Sequence, residues 1–312
     1  MTSFAFVFPG QGSQTVGMLD AWGDHPAVRD TLAEASAALG EDIGRLIHEG
    51  PKEQLDLTTN TQPVMLAAAV ACYRAWMAET GRAPSVVAGH SLGEYSALVA
   101  AGSLTLADAL PLVRFRAQAM QEAVPVGVGA MAAILGLDAE IVRATCAEVA
   151  AAVGEPVSAA NYNDPKQTVI AGTKGAVDQA CEALKGRGAK RALPLAVSAP
   201  FHCSLMKPAA DRLRERLAAV TLRAPQIPLI NNIDVVEQTA PDAIREALYR
   251  QAFGPVRWVE IVQAIRARGA THLFECGPGK VLAGLARRID AELIVGNVLD
   301  PATLAEAKGG LA

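Results

Sequence analysis

The segment Gly89-His90-Ser91-Leu92-Gly93 places a serine between two glycines in the pattern G-x-S-x-G. The β-branched stretch "SVVA" precedes it and the helix-forming stretch "EYSALVAAG" follows it. A serine on so tight a strand-to-helix turn is lifted above the carboxyl end of the sheet, where open α/β sheets bind ligands. The helix behind it offers free backbone N–H groups and positive dipole potential to a developing oxyanion. The chemistry implied is nucleophilic attack on an acyl carbon. The competing reading is a loop serine that caps a helix.

A serine nucleophile needs a base at neutral pH. The chain has 5 histidines. His25 and His48 lie in polar, helix-rich sequence and read as solvated. His90 adjoins Ser91, so its ring should point away from the serine, and it reads as a buried, hydrogen-bonded residue of the turn. His202 and His272 remain. Ser91, Asp234 and His272 satisfy the Ser, acid, His order of an α/β-hydrolase. However, His272 opens the strand-like "THLFECG", which puts it at the amino end of the sheet, away from Ser91. His202 lies in "AVSAPFHCSLM", a proline-containing return loop able to cross the mouth of a cleft, and is favoured. Cys203 is a rival nucleophile, but no positive cluster surrounds it to lower its pKa, and it reads as a passive thiol.

Two glycine-rich stretches fail as nucleotide sites. "GQGSQTVG" (10–17) has Thr15 where a dinucleotide loop wants a third glycine. "FECGPGK" puts Phe274 where a phosphate loop wants its first glycine, and Val281 follows Lys280 in place of Ser or Thr. The first stretch still ends the first strand on the same edge as Ser91, so backbone at 9–12 is placed to supply a second oxyanion donor.

The elements that must hold these residues alternate. "SFAFVF" (3–8) and 85–89 read as strands, with helical patterns at 26–39, 61–79 and 105–123. From 129 to 196 the rhythm changes. A strand at 130–136, a helix at 138–152, strands at 156–161 and 167–172, a helix at 174–187 and a strand at 190–195 give β-α-β-β-α-β, a ferredoxin-like order. Parallel α/β signals then resume. They are helices at 204–219, 241–252, 257–268 and from 279, with strands at 227–232, 271–277 and 292–297. The expected fold is α/β, a large parallel-sheet, α/β-hydrolase-like core with an inserted ferredoxin-like subdomain. The expected division is 1–126 with 197–312 for the catalytic part and 127–196 for the insert. The tail "AEAKGGLA" reads as frayed.

Composition narrows the function classes. The net charge is −4 and aromatics make up 4% of the 312 residues, so neither a phosphate-neutralising surface nor base-stacking platforms are expected. The 5 cysteines are scattered and never in a C-x-x-C pair, which argues against metal sites and disulfides and for a reducing, cytoplasmic setting. "MTSFAFVFPGQG" lacks a basic flank and is not a signal peptide. No apolar run approaches the ~18 residues of a membrane span.

Six separated motifs, "FPGQGSQ", "GHSLGEYSAL", "RFRAQAMQEAVP", "APFHCSLM", "QAFGPVRW" and "ECGPGKVL", occur in order over nearly the whole chain. In this the chain resembles the malonyl-CoA:acyl carrier protein transacylases. The resemblance implies ping-pong transfer of malonyl from coenzyme A to the phosphopantetheine thiol of acyl carrier protein, feeding fatty acid biosynthesis. It implies a malonyl ester on Ser91, with His202 as base. It also implies that a backbone carbonyl near Gln251 holds the histidine in place of a carboxylate. Backbone N–H groups of Gln11 and Leu92 match the family's oxyanion hole, and Arg116 matches its carboxylate-binding arginine. No cofactor is implied beyond the coenzyme A of the substrate. Phe201 and Leu92 resemble malonyl-selective members, the alternatives being a methylmalonyl-selective relative or a serine hydrolase. For an acidic carrier protein, local basic residues matter more than net charge. Lys190 and Arg191 in the insert, and Arg287 and Arg288 near the C-terminus, are the docking candidates, with ordinary solvated charges as the alternative.

Overall fold

In chain order the elements of the computed structural model, which describes residues 2–311, begin with β1 (Phe4–Phe8), α1 (Pro26–Leu39), α2 (Ile43–Glu49), α3 (Lys52–Leu55) and α4 (Thr58–Thr80). Next come β2 (Val86–Gly89), α5 (Gly93–Ala100) and α6 (Leu106–Glu122). The middle of the chain forms β3 (Gly129–Leu135), α7 (Ala139–Val153), β4 (Val157–Asp164), β5 (Gln167–Thr173), α8 (Lys174–Gly186) and β6 (Arg191–Pro194). The last part forms α9 (Lys207–Ala219), β7 (Leu229–Ile230), α10 (Pro241–Phe253), α11 (Trp258–Ala267), β8 (His272–Cys276), α12 (Val281–Ile289), β9 (Ile294–Val298) and α13 (Pro301–Gly310).

Five strands form one parallel sheet in the order β7-β2-β1-β8-β9. Its centre, β1, is buried on both faces, as parallel strands under two helical layers are. The strand period of two sorts the side chains. Phe4, Phe6 and Phe8 point toward the small residues of α4, Ala67 to Ala71 among them, with Trp76 edge-on to Phe6 at 5.3 Å. Ala5 and Val7, with Ala88 of β2, point the other way and receive Trp258, Ile261 and Ile265 of α11. Bulk on one layer meets small residues on the next, which is how facing layers fill space.

The second sheet is antiparallel, ordered β4-β5-β3-β6, with α7 and α8 packed on one face. Alternation again decides the faces. Ala132 and Ile134 face the two helices, while Met131 and Ala133 join the core of the larger sheet. This is the βαββαβ order and strand arrangement of a ferredoxin-like unit.

Two expectations need correction, and two helices were not expected. The strand expected over 227–232 is only Leu229–Ile230: Pro228 has no N–H to extend it backward, and after Ile230 the chain turns, with Asn231 Oδ1 accepting from the Asp234 and Val235 N–H groups. The sequence reading missed α2 and α3. The tail expected to fray is helical to Gly310. A capping box between Asp300 and Thr303 starts that helix, and Leu304, Ala307 and Leu311 are buried against the core. Ala312 lies outside the described residues. Among those residues, no helix is long and apolar enough to cross a membrane.

Candidate active site

Steric demands explain the G-x-S-x-G spacing. A Cβ on Gly89 would overlap the carbonyl of Gly93, and a Cβ on Gly93 would overlap the carbonyl of Phe8. The turn closes only with glycine at both positions. Between them Ser91 adopts φ 52°, a left-handed conformation that costs a non-glycine residue about 1–2 kcal/mol. Asn232 holds the strained turn. Its Oδ1 accepts from the Ser91 N–H at 2.7 Å and its Nδ2 donates to the Gly89 carbonyl at 2.6 Å.

Ser91 Oγ lies 2.7 Å from His202 Nε2. His202, in the loop after β6, is also left-handed, with φ 60°. Its Nδ1 faces the carbonyls of Gln251 at 2.9 Å and Gly254 at 3.2 Å. Carbonyls only accept, so the ring proton sits on Nδ1 and Nε2 presents a lone pair to the serine hydroxyl. Burial, and next the nearby Arg116 guanidinium, push the His202 pKa down to about 3. The imidazole is therefore neutral and able to take a proton.

Arg116, on α6, is 2% exposed. Its Nη1 donates to Gln62 Oε1 at 2.7 Å, and its Nη2 donates to Gln251 Oε1 at 3.1 Å and to Ser91 Oγ at 3.2 Å. Its Cζ lies 5.6 Å from the centre of the Tyr95 ring. The acceptors are all uncharged, Nε has no partner, and among the described residues the guanidinium forms no ion pair. Burial lowers its pKa. A buried cation whose acceptors are all neutral is left with its charge unmatched by the protein, and an anion placed beside it would gain charge-assisted hydrogen bonds.

These groups sit at the floor of a cleft of about 740 Å³ between the two sheets. Gln11 and Gly12 from the loop after β1, Leu92, and Phe201 line it, with Met131, Ala133 and Val169 of the smaller sheet opposite. Leu92 is the N-cap residue of α5. The cleft is of the size that takes an extended small ligand.

Ser91, His202, Arg116 and Gln251 are thus brought together, with Gln11 and Leu92 at the same cleft. The alternative triad is not assembled. Asp234 makes a two-point ion pair with Arg250, at 2.7 and 2.6 Å. His272 pairs with Phe4 at the amino end of the sheet, whereas Gly89, two residues before Ser91, pairs with Phe8 at the other end. His90 turns away from Ser91 and its Nε2 meets Asn163 Oδ1 at 2.9 Å. Cys203 is buried, its thiol donates to the Pro200 carbonyl at 3.1 Å, and burial pushes its pKa up to about 11. It is inert. Lys190, Arg191, Arg287 and Arg288 all stand outside the cleft lining. Arg287 donates to the Val295 carbonyl at 2.9 Å and Arg288 pairs with Asp164 at 2.7 Å.

Sequence reasoning missed Gln62, Glu94 and Asn232. Gln62 and Glu94 each left a signal, a lone polar or charged residue inside an otherwise apolar helix, at "TQPVMLAAAV" and "GEYSALVAA". Asn232 left none.

A parallel α/β core, an antiparallel insert and a serine–histidine pair beside a buried arginine define an acyltransferase. The chain belongs to the acyl transferase domain family, which matches residues 5–288. It is 55% identical to the malonyl CoA-acyl carrier protein transacylase of Escherichia coli strain K12, over 98% of this chain and 99% of that protein. Its structure is similar to that of acyl-carrier-protein S-malonyltransferase from Burkholderia pseudomallei 1710b, with TM-score 0.96 and 65% identity over 98% of this chain and 99% of that one. It is also similar to a malonyl-transacylase solved in complex with a type II polyketide acyl-carrier protein, with TM-score 0.96 and 51% identity over 99% and 100% of the two chains.

Proposed function

We propose that this protein moves a malonyl group from coenzyme A to the phosphopantetheine thiol of an acyl carrier protein, in fatty acid biosynthesis, through an ester on Ser91. One observation carries the malonyl part: the Arg116 guanidinium is buried, forms no ion pair among the described residues, and donates to the Ser91 oxygen itself at 3.2 Å. A three-carbon diacid bound by its far carboxylate to that fork presents its thioester carbon to the serine.

The steps follow from the hydrogen bonds. His202 Nε2 takes the Ser91 proton as Oγ attacks the thioester carbonyl. The N–H groups of Gln11 and Leu92 receive the oxyanion, each such donor contributing roughly 3 kcal/mol in the transition state. The C–S bond breaks, and the coenzyme A sulfur leaves with the proton from His202. The carrier-protein thiol then gives its proton to His202 and attacks the ester carbonyl. The C–O bond breaks and Ser91 recovers its proton. The Gln251 and Gly254 carbonyls stabilise the transient imidazolium, the task a carboxylate performs in a triad. Protons and electron pairs balance without a redox group or metal. Between the half-reactions the bound carboxylate fixes the ester rigidly, which leaves water poorly oriented and favours transfer over hydrolysis.

Phe201 and Leu92 flank the reacting pair and favour malonyl over a branched methylmalonyl group. Lys190 and Arg191 are exposed and make no side-chain hydrogen bond among the described residues, which supports them as carrier-docking positions more than Arg287 and Arg288, both already engaged. A cytoplasmic setting, where coenzyme A thioesters and carrier proteins meet, belongs to the same proposal.

Intact-mass measurement tests the reading. Incubation with malonyl-CoA should add one malonyl unit to the protein, and phosphopantetheinylated carrier protein should then remove it and carry it. Release to water alone would indicate a hydrolase.

A further inference from the structure

Glu94 stands in the first turn of α5, three residues past the nucleophile, and is 2% exposed among Tyr95, Ala97 and Leu98, all fully buried. A carboxylate in such surroundings costs stability unless it is paired or hydrogen-bonded. Its Oε2 accepts from two donors at 3.0 Å each, the Asn232 backbone N–H and Gln251 Nε2. Each donor leads to the reacting groups. Asn232 accepts the Ser91 N–H through its side chain. Gln251 donates from the same Nε2 to the Ser91 carbonyl at 2.9 Å, accepts from Arg116 on Oε1, and holds His202 with its main-chain carbonyl.

The geometry points to Glu94 as a positioning residue that aligns the Ser91 turn and the Arg116 fork through a single carboxylate oxygen. The orientation of the Gln251 carboxamide decides the case. Its nitrogen faces two acceptors, so its oxygen is left for the guanidinium. Turned over, it would set N–H against N–H at Arg116. An acceptor oxygen at Glu94 makes that turn unfavourable, since the turned carboxamide would set its own oxygen against Oε2 and leave it without the Gln251 donor. Burial pushes the Glu94 pKa up to about 7, against the pull of the Gln251 and Asn232 donors and of Arg116, while Asp234 pushes the same way as burial.

The inference rests on the malonyl reading, and the test separates the two. Glu94→Ala and Glu94→Gln are compared with the wild-type protein for the rate of acyl-serine formation from malonyl-CoA and from acetyl-CoA. Rates are normalised to the amplitude of acyl-enzyme formed, and thermal melts check folding. Glu94→Ala should slow malonyl loading by about tenfold or more beyond its effect on acetyl loading, because only the diacid uses the aligned fork. Glu94→Gln, whose Oε1 can accept the same two N–H groups, should recover most of the malonyl rate. Adding Glu94→Ala to Gln251→Ala should slow malonyl loading no further than about twofold.

A normal per-site rate in Glu94→Ala overturns the inference. So does an equal loss for both acyl groups that Glu94→Gln does not restore, or losses that multiply in the double variant. If the wild-type protein itself forms no malonyl ester, the proposed function fails instead.

Discussion

Ser91 and His202 lie 111 positions apart in the chain, both hold left-handed backbone conformations, and their Oγ and Nε2 atoms are 2.7 Å apart. Backbone strain at both members of a hydrogen-bonded pair persists only where surrounding bonds over-determine it. Asn232 does so for the serine, and the Gln251 and Gly254 carbonyls fix the ring of the histidine. Ser91→Ala should abolish the malonyl-enzyme entirely. His202→Ala should leave it forming roughly 10²–10⁴-fold more slowly, the usual worth of a positioned general base. Rapid-quench intact-mass kinetics read both outcomes, and an undiminished rate in either variant contradicts the assigned roles.

Arg116→Ala removes the buried cation but leaves the serine–histidine pair. Truncating one side of a buried charge pair costs about 2–5 kcal/mol. Malonyl loading should therefore fall by about 10²-fold or more, while loading from acetyl-CoA is unchanged or faster. Competition between the two thioesters for limiting enzyme measures the ratio. Retention of malonyl preference would remove Arg116 from the site.

The pH dependence follows from the direction of each shift. The folded protein keeps His202 neutral down to about 3, whereas the unfolded imidazole takes up a proton near its ordinary value of 6.5. Between those values the unfolded state binds more protons, so stability falls as pH drops through that window. Asparagine tolerates left-handed φ and does not titrate in this range, so His202→Asn should show a shallower decline of melting temperature below about pH 6.5. The acylation rate should likewise show no limb from His202. In Glu94→Gln the imidazoles beside Ser91 are His202 and His90, both pushed below their ordinary value by burial, so the rate should be level from about pH 8 to about pH 6.5. A limb above 6.5 in that variant would contradict a neutral His202.

Gly93→Ala tests the turn. The added methyl would have to displace the Phe8 carbonyl, which belongs to the central strand, so the backbone cannot yield cheaply. The variant should lose about 1–3 kcal/mol, the range for forcing extra atoms into a close-packed site, and lose acylation with it. Calorimetry with an acylation assay decides. A stable, active variant would show that the close approach is not required.

Much of this fold is legible because its signals are local. β1 and β2 are short β-branched or aromatic runs closed by Pro9-Gly10 and by Gly89, and α4 and α6 carry long helical patterns. The serine and the histidine follow from the turn signature and from a short process of elimination. The rest depends on tertiary structure. Gly309 and Gly310 argue against a helix end, yet α13 is held by buried Leu311, whose carbonyl accepts from Arg82 at 3.1 Å. Glu94 and Gln62 are conspicuous only as polar residues in apolar helices, and what they touch arrives from 157 and 54 residues away. Asn232 is one asparagine in a loop, and nothing in its neighbours announces that it holds the nucleophile.

The central strand β1 is flanked by β2 and by β8, so its second neighbour is Phe4 to Val7's partner segment at 272–275. During synthesis the ribosome delivers Ser91 long before the loop carrying His202, and later still Gln251 and the strand that closes the sheet. Ser91 enters the chain 111 positions before His202 and 160 before Gln251, so their contacts can form only after most of the chain has been made.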